Sequence, residues 1–232
     1  MTGVAALRGE VALASRILGA NGHDDYVWGH VSARDPEGRG VWMKRSGLGF
    51  EEIRDADVIL VGPDGAVLEG EGPRHVEWPI HTEIMAARPD VGAVVHSHPP
   101  HAIALGAARA ELLPVSHAGT FFVPPALPRY TRTAELIVTR DMGVEVASAL
   151  GEQPALLLVN HGIVAVGADL ADAVCAAILL EKAANQQLLV EGLGGAARWS
   201  DDEEALRKRE TVWSATQRRH LWEYLVRREE RG

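Results

Sequence analysis

Residues 88–98 read RPDVGAVVHSH. The valine-rich run from Val91 predicts a buried β-strand, and this strand carries His96 and His98 two residues apart. Alternate side chains of a strand point to the same face, so both imidazoles are expected on one side of a sheet. A Pro-Pro pair at 99–100 then ends the strand. The two rings are therefore expected at the end of a sheet, where binding and catalytic residues concentrate.

The rest of the chain alternates helical and strand patterns around this stretch. Apolar residues recur at helical spacing near the start and again after Asp169, which suits an N-cap position. No internal repeat or low-complexity linker interrupts the pattern, which predicts one α/β domain over 1–232. The predicted elements are a helix over 4–18, short strands between 27 and 67 that include a hairpin from 59 to 68, a helix over 77–87, the strand over 91–98, a strand over 156–159, a long helix after Asp169 and a charged helical tail over about 200–232.

The composition is that of an ordinary globular protein, with 47% hydrophobic and 24% charged residues among 232. The net charge of −9 argues against nucleic-acid binding, and the single Cys175 excludes an internal disulfide and a cysteine-based zinc cluster. The longest apolar run, 173–180, has eight residues, whereas a membrane span needs about 20. Because Arg8, Glu10 and Arg16 interrupt any signal-peptide core, we expect a cytoplasmic protein. Ten histidines are the unusual feature.

A third histidine, His161, follows the apolar run at 156–159 and precedes Gly162. Three neutral imidazoles suit a borderline divalent cation and leave one or two positions open, as in a catalytic metal site. Glu77 adds a carboxylate at the start of a predicted helix, with His81 one turn later on the same face. Taken alone, Glu77 is better explained as an acid that complements the helix dipole.

Five short motifs follow one another along the chain: GHVSAR at 29–34, KRSG at 44–47, EWPIH at 77–81, RPDVGAVVHSH at 88–98 and NHGI at 160–163. In this order they resemble the class II aldolase/adducin family, which includes fuculose-phosphate aldolase and ribulose-phosphate 4-epimerase. The resemblance covers roughly residues 5–191. It implies a three-layer α/β/α fold with a central, largely antiparallel sheet. It also implies a homotetramer with active sites at the subunit interfaces.

The same resemblance implies one divalent metal ion per subunit, bound by His96, His98 and His161. Glu77 would be a resting ligand or an acid/base. Zinc is the first expectation, and manganese, iron, cobalt and nickel stay open because nitrogen and oxygen ligands suit several divalent ions.

Departures from the sugar-phosphate pattern favour one branch of the family. His30 stands where those members have asparagine, and His75-Val76 replaces a Ser-Ser pair that holds phosphate. Ala118 replaces the aldolase tyrosine after a Pro-x-x-His segment, here 114–117. The Gly-His-Val-Ser at 29–32 looks like the decarboxylase branch, which acts on hydroxylated aromatic dicarboxylates such as dihydroxyphthalate or a hydroxypyridine dicarboxylate.

The resemblance therefore predicts a divalent-metal-dependent lyase in aromatic compound catabolism. It would decarboxylate a hydroxylated aromatic or heteroaromatic acid through a metal-stabilised enolate or phenolate. Glu77 and His30 are the candidate proton donors. The predicted substrate-binding residues are His30, Arg34, Lys44, Ser46, Gly47, His75 and His117.

Charged and aromatic residues near the motifs have further possible roles. Arg34, Lys44 and Arg45 are candidates to orient a second carboxylate, although Arg34 equally suits a structural ion pair. Glu181 lies on the apolar side of the long predicted helix and needs a partner. That partner is a metal-bound histidine in one interpretation and a structural ion pair in the other, which we favour. The aromatic candidates to wall a flat ring are Trp28, Trp42, Trp78, Phe121 and Phe122.

Two alternatives remain. The first is a class II aldolase or epimerase that acts on a small hydroxycarbonyl or sugar-phosphate compound. The second is an adducin-like interaction module without chemistry. Retention of all three histidines and Glu77 argues against the module, because a scaffold has no physical need for a metal triad.

Overall fold

The strand that carries the paired histidines lies at the middle of an eight-stranded sheet in the computed structural model, which describes residues 3–231. The strands are β1 (His30–Arg34), β2 (Val41–Lys44), β3 (Val58–Val61), β4 (Val67–Glu69), β5 (Ala93–Ser97), β6 (Arg129–Tyr130), β7 (Ala155–Leu158) and β8 (Gly162–Gly167). The helices are α1 (Gly3–Leu18), α2 (Trp78–Ala87), α3 (Pro100–Ala107), α4 (Arg140–Leu150), α5 (Leu170–Gly192), α6 (Asp202–Val212) and α7 (Ala215–Glu229).

The sheet order is β4-β3-β2-β1-β5-β8-β7-β6. Every neighbouring pair is antiparallel except β6 and β7. The central strand β5 pairs with β1, where His96 faces His30, and with β8, where Ser97 faces Ile163. This register brings three of the histidine motifs to one end of the central strands.

Helices cover both faces of the sheet because alternate side chains of each strand enter opposite cores. Ala93 and Val95 of β5 pack in one core with α1, α3, α5 and α7. Val94 packs in the other core with α2 and α4. The α/β/α layering and the largely antiparallel sheet that the sequence predicted are confirmed. His96 shares the face of Val94, so it points towards α2.

The predicted helices at the start and after Asp169 are present, and the Asp169 side chain accepts a hydrogen bond from the backbone N–H of Asp172 at 2.9 Å. The charged tail forms two helices, α6 and α7. The break falls at Ser214, whose hydroxyl caps α7. Leu225 of α7 is buried in the same core as α1, so the last helix packs against the domain.

Helix α5 is long and apolar enough in composition to cross a bilayer, with a mean hydropathy of 1.2. However, 56% of its most apolar window is buried inside the protein. Its apolar face packs against the sheet, as in the core helix of a globular domain.

Candidate metal centre and its pocket

Three elements bring the predicted metal ligands together at one end of the sheet. His96 lies in β5 and His98 follows it directly, while His161 lies in the turn between β7 and β8. Glu77 stands at the N-cap of α2, above the same face. Each of these four residues offers a ligand atom, and the four atoms all lie within 4.8 Å of one another.

The turn that carries His161 has a special backbone. Asn160 has a φ of 59°, in the left-handed region that asparagine tolerates better than most residues. A Cβ atom on Gly162 would lie 2.5 Å from the carbonyl oxygen of Ser97, so only glycine fits against β5 here. The Asn-His-Gly sequence therefore allows the hairpin to hold the His161 ring beside the rings of β5.

Hydrogen bonds fix the tautomers of two of the rings. His96 Nδ1 lies 2.9 Å from the carbonyl oxygen of Ile163, and His98 Nδ1 lies 2.8 Å from Asp25 Oδ2. A carbonyl and a carboxylate only accept, so each Nδ1 carries the proton. Burial, together with the neighbouring His96, lowers the pKa of His98 to about 4, although Asp25 partly opposes the shift. A ring that carries its only proton on Nδ1 presents a lone pair at Nε2, which is the donor that a metal ion needs.

These two Nε2 atoms lie 3.1 Å apart. Two nitrogens on one tetrahedral zinc ion, each about 2.0–2.1 Å from it, would be about 3.3 Å apart. Two lone pairs at this distance repel each other unless a cation lies between them. The donor chemistry and the spacing therefore both fit a divalent metal.

Glu77 and His161 complete the cluster. Glu77 Oε2 lies 3.4 Å from His96 Nε2, and Glu77 Oε1 lies 3.5 Å from His161 Nε2. In the described chain, 3–231, both ring nitrogens of His161 are buried without a hydrogen-bond partner, and a metal ion would satisfy Nε2, the nitrogen that faces Glu77. Burial raises the pKa of Glu77, but His96 and His161 more than offset this, so the pKa is lowered and the carboxylate is ionised.

The contacts of Glu77 differ from those of an acid that only complements the dipole of helix α2. Its side chain makes no capping bond to α2. Instead, Oε1 accepts a hydrogen bond from the backbone N–H of Ile137 at 2.8 Å, and the side chain is only 6% exposed. This bond holds the carboxylate towards the histidines.

A pocket of about 440 Å³ opens beside this cluster. Apolar side chains form much of its wall, and polar groups are placed among them. The lining residues are Asp25, Trp28, Gly29, His30, Ser46, His75, Val76, Glu77, His98, Ile103, Leu136, Asn160 and His161. None of these lining residues, which all fall within the described 3–231, is a lysine or an arginine.

His30 and His75 lie next to each other in this pocket, with ring centroids 4.4 Å apart. His30 Nε2 is 3.9 Å from Glu77 Oε2. Burial, and then the charge of Lys44, lower the pKa of His75 to about 2, so this ring is neutral. Both residues occupy the pocket positions that the sequence predicted, as does Ser46.

The cations that the sequence predicted as carboxylate anchors do not line this pocket. Arg34 donates hydrogen bonds to the backbone carbonyls of Met85, Arg88 and Val91 at 2.7–3.0 Å. Its guanidinium links the C-terminal end of α2 to the loop before β5 by hydrogen bonds, and it does not line the pocket. These contacts favour the structural alternative, with carbonyls in place of an ion-pair partner.

Lys44 is fully buried, and its Nζ donates to the carbonyl oxygens of Leu48 at 2.6 Å and Val27 at 3.3 Å. Burial lowers its pKa to about 8. Arg45 pairs with Asp57 at 3.0 Å. Neither Lys44 nor Arg45 lines the pocket, so their contact with a substrate stays a prediction.

Three further predicted positions lie outside this pocket. Gly47 is exposed and does not line the pocket. His117 lines a separate surface groove with Trp213. Glu181 contacts no metal-cluster histidine. It accepts hydrogen bonds from His101 Nδ1 and from the first backbone N–H groups of α3, so the structural alternative holds.

Of the aromatic residues considered for the pocket wall, Trp28 lines the pocket and stays 56% exposed. Trp42 and Trp78 are buried in the two cores, and Phe122 is buried in the first. Phe121 packs against that core. Aromatic residues near a motif in sequence were therefore mostly core residues.

Sequence reasoning missed Asp25, which orients His98, and Asn160, which lines the pocket beside His161. The only available signal for Asp25 was a general one, because ligating histidines usually donate their second N–H to a carboxylate or a carbonyl. A separation of 73 residues gave no local pattern to reveal the pair.

Comparisons with known proteins agree with this geometry. The sequence matches the profile of the Class II Aldolase and Adducin N-terminal domain over residues 9–188. It is 34% identical to a 3,4-dihydroxyphthalate decarboxylase of Arthrobacter keyseri over 207 residues, which cover 84% of this chain and 82% of that protein. It is 30% identical to the L-ribulose-5-phosphate 4-epimerase UlaF of Salmonella paratyphi B over 205 residues, which cover 84% and 90%.

The fold is similar to that of an L-fuculose 1-phosphate aldolase from Glaciozyma antarctica PI12. The TM-score is 0.87 at 28% identity, and the match covers 100% of this chain and 92% of that one.

Proposed function

The chain belongs to the class II aldolase and adducin family, and from that premise we propose that it is a divalent-metal-dependent decarboxylase of a hydroxylated aromatic or heteroaromatic acid. The observation that carries the proposal is the apolar wall beside the metal ligands. Trp28, Val76, Ile103 and Leu136 line the pocket there. Such a wall suits a flat ring. The 34% identity to a 3,4-dihydroxyphthalate decarboxylase supports the same chemistry.

Class II aldolases use a divalent metal, and His96, His98, His161 and Glu77 are the residues that would hold it. When bound, the ion acts as a Lewis acid that stabilises negative charge on a substrate oxygen, an effect of several kcal/mol. We propose zinc first, with manganese, iron, cobalt or nickel as alternatives.

The ring carbon that bears the carboxylate first receives a proton, with the electrons of the new C–H bond supplied by the ortho oxygen, which becomes a carbonyl. The bond to the carboxylate then breaks, CO2 leaves, and its electron pair returns to the ring and the ortho oxygen, which takes up a proton from solvent. One proton is thus consumed for each CO2 released. Glu77 starts ionised because its pKa is lowered. It can therefore take the proton of the ortho hydroxyl at Oε2 and return it to the ring carbon.

His30 would act as a neutral hydrogen-bond donor rather than as the acid. Burial, and then the neighbouring histidines and Lys44, lower its pKa well below the usual range. Its Nε2 lies 3.9 Å from Glu77 Oε2, so it can contact the same substrate oxygen. His75, Ser46 and Asn160 are the polar groups left to meet a second carboxylate.

The competing candidate is an aldolase or epimerase, which the 30% identity to an L-ribulose-5-phosphate 4-epimerase favours. A panel of ortho-hydroxylated aromatic dicarboxylates and a panel of hydroxyketones and sugar phosphates separate the two. We expect CO2 from the first panel and no aldehyde or epimer from the second. The reverse result would establish the competing candidate.

Matched variants tie the activity to the site. His96→Ala should abolish CO2 release, while His220→Ala, on the exposed face of α7, should retain it. If neither panel reacts and metal-loaded protein still folds normally, the adducin-like interaction module becomes the better explanation. The homotetramer, with active sites at its interfaces, is part of the same proposal, and light scattering in solution tests it.

A further inference from the structure

A buried chain of hydrogen bonds runs behind the pocket. Ser32 Oγ lies 2.6 Å from His81 Nδ1, and His81 Nε2 lies 2.6 Å from His30 Nδ1. All three side chains are at most 2% exposed. Ser32 and His30 stand two residues apart on β1 and so share a face, and His81 reaches them from α2. The chain ends at His30 Nε2, which faces the pocket.

The direction of this chain follows from its hydrogen bonds. His81 Nε2 and His30 Nδ1 are both ring nitrogens, so one of them donates in their contact and the other accepts. A neutral imidazole has one N–H and one lone pair. The His81–His30 bond therefore contains one proton, and the whole chain has only two possible directions.

The two ends of the chain select between these directions. At one end, Ser32 is buried and its Oγ has His81 Nδ1 as its hydrogen-bond partner among the described residues, so accepting from His81 would leave its own hydroxyl proton without an acceptor. At the other end, His30 Nε2 faces the Glu77 carboxylate, whose oxygens accept hydrogen bonds. A donor at Nε2 is attracted by this carboxylate, whereas a lone pair there is repelled. Both ends favour the same direction, with the hydroxyl of Ser32 donating to His81 and His81 donating to His30.

We propose that Ser32 and His81 are positioning residues that hold His30 as the tautomer with the proton on Nε2. The pocket is thereby given a fixed N–H donor beside the metal ligands. A lone pair at that place would repel a substrate oxyanion, so the tautomer decides whether His30 stabilises the charge. The tautomer follows from the hydrogen bonds that join Ser32, His81 and His30. The contact of His30 with a substrate oxygen rests on the proposed function.

The tautomer can be measured directly by ¹⁵N NMR on zinc-loaded protein with labelled histidine, with His30 assigned by comparison with His30→Gln. We expect His30 with Nε2 protonated and Nδ1 unprotonated. A proton on Nδ1 would overturn the proposal. The measurement needs no turnover, so it stands apart from the assay for CO2.

Substitution of Ser32 tests what sets the tautomer. Ser32→Ala removes the terminal donor, so the His30 signals should move towards the other tautomer or a mixture. Ser32→Thr keeps a hydroxyl and should restore the wild-type pattern. Ser15→Ala is the matched control, because Ser15 is also buried but bonds only within α1. Unchanged His30 signals in Ser32→Ala would overturn the positioning role.

If the proposed reaction is also correct, Ser32→Ala should lower kcat by about five- to tenfold, the value of one net hydrogen bond, with little change in KM. Ser32→Thr should recover most of this loss. If no substrate is turned over but the NMR pattern is as expected, the proposed function fails and the positioning inference stands. A rise in KM with a fall in kcat, together with loss of folding in both variants, would instead point to a merely structural role.

Discussion

Removal of the Asp25 carboxylate should weaken metal binding without removing any ligand. Asp25 Oδ2 accepts the hydrogen bond of His98 Nδ1 at 2.8 Å, which fixes the ring so that Nε2 faces the cluster. In Asp25→Ala the ring loses this partner, and its tautomer and orientation become free to vary. The ligand set itself, His96, His98, His161 and Glu77, stays complete.

The size of the effect follows from the burial of the pair. Loss of such an orienting partner typically lowers metal affinity by about 10- to 100-fold, or about 1.4–2.7 kcal/mol. The Asp25 side chain is 31% exposed, so water can replace part of the lost bond. We therefore expect Asp25→Ala to weaken zinc binding by about tenfold. Asp25→Asn keeps an acceptor oxygen and should lose less.

The assay is competition for zinc between metal-free protein and a chromophoric chelator at fixed pH. Asp24→Ala is the matched control, because Asp24 is the exposed neighbour and has no part in the cluster. Thermal unfolding of both variants without metal shows whether folding is intact. Zinc affinity of Asp25→Ala equal to that of wild type would refute the argument that this bond orients a metal ligand.

Three further changes test the placement of other charged groups. Glu181→Ala removes the acceptor at the start of α3 and should lower the free energy of unfolding in urea by about 1.5–3 kcal/mol. Lower zinc affinity at unchanged stability would instead show that Glu181 supports a metal-binding histidine. Arg34→Met leaves three backbone carbonyls without their donor and should lower the free energy of unfolding by about 2–4 kcal/mol. A higher KM with normal stability would instead support substrate binding by Arg34. Burial lowers the pKa of His23 to about 3, so the unfolded chain binds its proton first as the pH falls below 6.5. The contribution of neutral His23 to the free energy of unfolding is thus fully present above pH 6.5 and is lost as the pH falls towards 3. Between pH 7 and 5, wild type should lose about 2 kcal/mol more of its free energy of unfolding than His23→Gln does. Equal losses in the two proteins would contradict this pH dependence.

The sequence predicted the parts of the site that obey local rules. His96 and His98 are two residues apart in or next to a strand, and a period of two puts them on one face whatever the rest of the fold does. His161 ends an apolar run, which placed it at the end of another strand. The layering of the sheet and helices followed from alternating patterns in the same way and from the family motifs.

Long charged side chains were predicted less well, because their partners lie far away in sequence. Arg34 and Lys44 sit inside motifs, which suggested a role on the substrate. Both are instead satisfied by backbone carbonyls, some of them 51–57 residues away for Arg34. A buried cation must find acceptors, but no local pattern says which ones. The partners of Asp25 and Glu181 were hidden for the same reason.

Anomalous X-ray diffraction from crystals of the zinc-loaded protein tests the central claim most directly. We predict one zinc peak per subunit within bonding distance of Nε2 of His96, His98 and His161, next to the Glu77 carboxylate. A fully loaded crystal with its zinc on other residues, or with no peak between these three rings, would contradict the metal centre and the decarboxylase chemistry proposed on it.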